Sequence, residues 1–177
     1  MKHLIIALAV SLLMMMSCVY QVDSHAFLRN QEDLKYQADD MAAAAVLFYQ
    51  SDAYGEGIKI FDDSRGNATA EVLLKENMNT TGGIVDKGYF AGNHIIWHIY
   101  YFDDSGKRRS YTNGVLTSTV PFSYGIRFVE PLTGYSKLID KPTAIVTIEA
   151  GCPHYRLPIL PTAPPMIQTS AYEYVGR

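Results

Sequence analysis

The sequence predicts a mainly β fold, an antiparallel β-sandwich or open barrel with one N-terminal helix over residues 30–49, behind an export leader over residues 1–26. Three observations predict it. Lys2 and His3 run into an apolar stretch from Leu4 to Met16, and small residues Ser24 and Ala26 then stand at the −3 and −1 positions of a cut before Phe27. Leu34, Ala38, Met41, Ala45 and Phe48 recur at spacings of three and four, the period of a helix with one apolar face. From Gly55 onward, short β-branched and aromatic runs alternate with turn-forming clusters.

The leader has two competing readings. A membrane anchor needs about 20 apolar residues, more than the Leu4–Met16 run supplies. A lipoprotein would use Cys18, but Met15, Met16 and Ser17 are an indifferent lead-in to a lipidated cysteine. Cleavage after Ala26 leaves Phe27–Arg177 as a single exported domain without an anchor, large enough to bury a core.

Asn30–Tyr49 reads as the helix, with Gln31, Glu32 and Asp33 favouring its start through the helix dipole. Ala42–Ala45 are the best helix formers. The apolar end Val46-Leu47-Phe48 argues for packing on a sheet rather than for a cleaved propeptide. Asp39 and Asp40 point to different sides and read as solvated charge.

Ile58–Phe61 reads as a strand ending at the turn-rich cluster Asp62-Asp63-Ser64-Arg65-Gly66-Asn67, and Ala70–Leu74 as a second short strand. Asn77–Gly83 reads as a loop. His94–Phe102 is the clearest strand. Asp103–Gly106 turns the chain, Arg109–Thr112 returns, and Asn113-Gly114 is a type I′ hairpin signal before a strand at Val115–Val120. Tyr124–Val129, Thr143–Glu149, Tyr155–Leu160 and Ile167–Val175 complete the set, with Pro158 confining Tyr155–Leu160 to an edge and Pro161–Pro165 forming a loop.

The net charge of −3 survives removal of the leader, which deletes Lys2 and Asp23. An acidic chain lacks the positive field that a nucleic acid requires. The basic cluster Lys107-Arg108-Arg109 reads as turn charge offset by Asp103 and Asp104. Cys152 is the one cysteine left after cleavage, so no internal disulfide is expected. It is buried, free, or paired with another chain in a homodimer.

Asn67-Ala68-Thr69 and Asn79-Thr80-Thr81 fit the N-glycosylation acceptor rule, which places residues 64–82 at the surface of an exported chain. His94 and His98 would lie about 13 Å apart along one strand face, too far to share a zinc ion. The 13 tyrosines serve a β-sheet core before they serve a ligand. No Gly-rich phosphate loop, nucleophile elbow or metal-spaced Cys/His set occurs, so no catalytic residue, metal or cofactor is assigned. Carboxylates Asp62, Asp63, Asp103 and Asp104 could serve an extracellular hydrolase if a pocket held two of them about 5 to 9 Å apart. Gly176-Arg177 could be trimmed to an amide in a hormone-like precursor, which a folded domain upstream disfavours.

Residues 88–177 carry a family resemblance. Ala144-Ile145-Val146-Thr147-Ile148 precedes Gly151-Cys152-Pro153-His154-Tyr155, the chain closes on Tyr172-Glu173-Tyr174-Val175-Gly176-Arg177, and Gly125-Ile126-Arg127-Phe128-Val129 lies upstream. This half resembles the multiprotein-bridging-factor-two family of small secreted insect proteins. Cys152 and His154 stand where that family has turn glycines, and Pro161-Thr162-Ala163-Pro164-Pro165 replaces a Gly-rich loop. The resemblance implies an all-β fold without enzymatic activity, and its name implies a transcriptional co-activator, which would require the chain inside the cell. The expectation is therefore a secreted, glycosylated, non-catalytic domain that binds a protein or small ligand outside the cell. The co-activator and the hydrolase are the alternatives.

Overall fold

The structure is a computed structural model that describes residues 2–152 and 165–174. It is an open antiparallel sheet with helices on one face and a β-hairpin on the other. Helix α1 spans Lys2–Ala45, α2 Ser51–Gly55 and α3 Asp63–Met78. The strands are β1 (Thr80–Thr81), β2 (Ile84–Val85), β3 (Ile96–Phe102), β4 (Lys107–Thr112), β5 (Val115–Pro121), β6 (Ile126–Val129), β7 (Ser136–Ile139), β8 (Thr143–Glu149) and β9 (Ile167–Glu173). The main sheet has the order β5-β4-β3-β8-β9, and β1-β2 and β6-β7 form two small hairpins. The antiparallel strands and the N-terminal helix match the sequence expectation. The class does not: helices of 44, 5 and 16 residues make this a mixed α/β fold rather than a mainly β one. Among the described residues the sheet ends on β5 and β9 without closing into a barrel.

Strand β8, between β3 and the edge strand β9, has both of its faces covered. Thr143 to Ile148 are all buried. Ala144, Val146 and Ile148 meet Leu34, Ala38, Met41 and Ala45 of α1, joined by Trp97, Ile99 and Tyr101 of β3. On the opposite face Ile145 packs with Phe102 of β3 and with Phe128 and Ile139 of the β6-β7 hairpin. This alternation on one strand builds two cores back to back. Lys137 of β7 and Glu173 of β9 form a 2.7 Å ion pair that ties the hairpin to the sheet edge.

Several expected elements are corrected. The helix runs from Lys2 to Ala45 rather than over 30–49, continuous with the apolar leader segment. It ends early because Phe48 and Gln50 bond to the 60–62 backbone and Tyr49 bridges Phe61. Ile58–Phe61 contributes only that bridge. The cluster at 62–67 opens α3: the Asp62 side chain caps the helix by accepting from the Arg65 amide at 3.2 Å. Ala70–Leu74 lies inside the same helix, with Ala70 and Leu74 one turn apart on its buried face. Lys107–Arg109 belongs to β4 rather than to a turn, and His94 lies before β3 in a bridge to Ile84. Pro121 ends β5, β6 begins at Ile126, and β7 had no sequence signal. Tyr155–Leu160 lies outside the described residues, as do His154, Pro161–Pro164 and Gly176-Arg177.

The first half of α1 stands apart from this architecture. Leu4, Ile5 and Met15 are 75%, 66% and 69% exposed, whereas Leu34, Ala38 and Met41 are buried. An 18-residue window of α1 is long and apolar enough to cross a membrane, and none of it is buried in the fold. By length and composition this segment fits a span as well as a cleaved leader.

Candidate functional site

Chemistry-bearing side chains converge where the N-terminus of α3 meets the β3-β4 turn. Alternation along β4 turns Arg109 and Tyr111 toward α3, on the face that Tyr101 occupies in β3, and Tyr101 pairs with Arg109 in register. The Asp63 carboxylate, in the first turn of α3, receives the Arg109 guanidinium side-on, with Nη2 2.7 Å from Oδ1 and Nε on Oδ2. Asp103, just past β3, is fully buried and accepts Arg109 Nη2 at 2.6 Å. It also accepts the amides of Phe61 at 2.9 Å and Ser105 at 3.1 Å. Tyr111 donates its phenol to Asp63 at 2.7 Å.

Electrostatics follow from this enclosure. Burial opposes the Arg109 charge, but the bonds to Asp63 and Asp103 outweigh it and raise the guanidinium above its ordinary value. Burial, then the Asp63 bond, raises the Tyr111 phenol. The Tyr101 phenol is raised mainly by burial and then by Asp63, and it donates to Oδ1 of Asn67 at 3.1 Å.

The four carboxylates named from sequence are thus neighbours in space, each with a partner. Asp62 caps α3 and pairs with Arg65 at 3.4 Å. Asp104 accepts the Lys59 amide at 2.8 Å and the Tyr124 phenol at 2.7 Å. Arg109 bridges Asp63 and Asp103, bonded to both. The network is a clamp between helix and sheet. Sequence reading missed it because Asp63 and Arg109 lie far apart in the chain. The available signal was the alternation of β4, which puts Arg109 on the face of Tyr111.

A second buried carboxylate, Glu130, is fully enclosed below the sheet. Its Oε2 accepts the Leu132 and Thr133 amides at 2.9 and 2.7 Å and the Thr133 hydroxyl at 2.8 Å. Tyr100 approaches its other oxygen at 3.4 Å, and burial followed by Glu130 pushes the Tyr100 phenol up to about 12. On the helix face, burial works against the Asp39 charge, but bonds from Lys35 and Ser170 outweigh it and lower its carboxyl.

The remaining sequence candidates are dispersed. His98 Nδ1 lies 2.9 Å from the Thr112 hydroxyl, while His94 is exposed. Among the described residues no group of three or more His, Cys, Asp or Glu is arranged to hold a metal ion. Cys18 is exposed on α1, and Cys152 is partly exposed, its carbonyl accepting from the Asn93 amide group at 2.6 Å. Asn67 is buried in α3, and Asn79 is exposed at its C-terminal cap. A cleft of about 270 Å³ runs beside α3, lined by Leu74, Thr80, Ile95, Trp97 and Asn113, with Glu71 and Lys75 at its rim. Those two rim charges pair with each other at 2.6 Å.

Comparison with protein-family models, curated proteins and solved structures returns no significant match to this chain.

Proposed function

We propose that this chain is an exported, non-catalytic domain that acts by binding a protein or small ligand outside the cell. The observation that carries the reading is the division of α1. An apolar 18-residue window near its start is wholly unburied, and its second half is part of the core. A folded domain gains no stability from an exposed apolar helix, so that segment serves the membrane, as a leader or as a span. In either role Lys2 and His3 stay on the cytoplasmic side and the domain is delivered to the other side. The non-catalytic part rests on the clamp, in which Arg109 and backbone amides occupy Asp63 and Asp103. In this reading the β6-β7 hairpin is a partial second layer of a sandwich, leaving the β5 edge and the Trp97 cleft as recognition surfaces.

The test is distribution between medium and cells when the whole chain and a variant lacking residues 2–26 are expressed in an exporting host. The whole chain is expected in the medium and the shortened chain inside. A whole chain found in the cytosol and nucleus would overturn export and favour the co-activator that the family resemblance implies.

A further inference from the structure

The two acceptor tripeptides occupy opposite environments in one helix. Asn67 is 7% exposed in the second turn of α3, and its Oδ1 accepts the phenol of the fully buried Tyr101 at 3.1 Å. Its neighbour Gly66 has no room for even a methyl group. An added Cβ would lie 2.6 Å from the Tyr101 hydroxyl and 2.9 Å from the Ala45 carbonyl of α1. The segment therefore lies at the seam of α1, α3 and the sheet. Asn67 opens onto a hollow that it lines with Ser64, Ala68, Glu71, Tyr111 and Gly114. A branched sugar on its amide nitrogen would crowd that wall and disturb the bond to the buried Tyr101 phenol, so a chain carrying one closes α3 onto the core poorly.

Asn79 is placed differently. It is the left-handed C-cap of α3, with φ 49° and ψ 61°, a conformation that asparagine tolerates better than most residues. Its backbone is held at both ends: its N–H donates to the Lys75 carbonyl and its carbonyl accepts the Asp86 amide at 2.9 Å. The side chain is exposed, and so is Thr81, whose hydroxyl donates to Asp86 at 2.7 Å. The acceptor thus sits on a surface turn that bonds to the 79–86 backbone hold in place.

We infer that Asn79 is the N-glycan attachment site of the exported chain and that Asn67 is left unmodified in the folded protein. The inference rests on the export reading above. In the transfer, the Asn79 carboxamide nitrogen forms a bond to the anomeric carbon of a polyprenyl-diphosphate-linked oligosaccharide. The bond from that carbon to the phosphate oxygen breaks, the polyprenyl diphosphate leaves, and the nitrogen loses one proton. The sugar then stands beside the β1-β2 hairpin, next to Thr80, which helps to line the Trp97 cleft.

The experiment expresses the full chain, Thr69→Ala, Thr81→Ala and Asn79→Gly in a glycosylating, secreting host. Intact mass of the chain is then measured before and after enzymatic glycan removal. Thr69→Ala destroys the first acceptor without touching the Asn67–Tyr101 bond, and Asn79→Gly keeps the left-handed cap. The full chain and Thr69→Ala should each lose one glycan's mass, while Thr81→Ala and Asn79→Gly should lose none. A glycan persisting on Thr81→Ala and Asn79→Gly, or its loss in Thr69→Ala, would overturn the assignment. A glycan-free full chain in the medium overturns the assignment alone, whereas an unprocessed chain in the cytosol overturns it together with export.

Discussion

Nη2 of Arg109 lies 2.6 Å from Oδ2 of Asp103, a carboxylate with no exposed surface. The same guanidinium closes on Asp63, whose side chain is 12% exposed. Removing the cation leaves two carboxylates in a dry site, so Arg109→Leu should destabilise the fold by about 3–5 kcal/mol in denaturant melts. Arg109→Lys should recover only part of this, because an ammonium cannot reproduce the forked contacts. An Arg109→Leu variant as stable as the parent would show that the clamp contributes nothing.

Gly66→Ala isolates the seam between α1 and α3. Alanine normally favours a helix interior over glycine by about 1 kcal/mol. Here the added methyl meets a backbone carbonyl at 2.9 Å and the Tyr101 hydroxyl at 2.6 Å, contacts that must push elements apart. Overpacking wins, and the variant should lose about 1–3 kcal/mol. Adding Tyr101→Phe relieves the hydroxyl contact but not the Ala45 one, so the double variant should remain less stable than Tyr101→Phe alone.

Alkaline stability should depend on the buried phenols. Tyr100 has its proton held up to about 12 against an ordinary 10.0, by burial first and then by Glu130. A group with a raised folded value stabilises the fold fully below its unfolded value and stops doing so as pH rises through the folded one. Unfolding free energy should therefore fall as pH rises from 10 to 12. Tyr101, Tyr111 and Tyr124 are raised in the same sense. Chemical melts across that window check the slope, and Tyr100→Phe should make it shallower. A slope unchanged by Tyr100→Phe would assign the alkaline loss to the other phenols.

Asn113 does two jobs at the β4-β5 turn. It adopts φ 48°, with Gly114 at φ 77°, and its Oδ1 accepts the Trp97 amide at 2.9 Å. Asn113→Gly keeps the turn and loses the bond, at about 1 kcal/mol. Asn113→Ala adds the left-handed penalty of about 1–2 kcal/mol and should be the less stable of the two in thermal melts. Equal stability would mean the turn carries no strain.

What was legible in the sequence was what repeats over several residues or is chemically unambiguous. The density of β-branched and aromatic residues marked β3 and β8, and Asn113-Gly114 marked its hairpin through the positive φ that both residues adopt. Helix α3 was not legible because Asp62, Asp63, Ser64, Gly66 and Asn67 favour turns and helix caps alike. Tertiary packing on α1 decides between them. Strand β7 shows three of its four side chains to the solvent or the half-buried rim, which leaves no alternation to read. The clamp was hidden for a different reason: the partner of Asp63 lies 46 positions away, so charges that look solvated in sequence are enclosed in the fold.

We propose that the first half of α1 serves delivery rather than folding. The most direct test is mass analysis of the N-terminal peptide of chain recovered from the culture medium. A peptide beginning at Phe27 is predicted, from a protein whose thermal stability matches that of material carrying residues 1–26. Medium protein that still begins at Met1, or that loses stability when residues 1–26 are removed, would contradict the account.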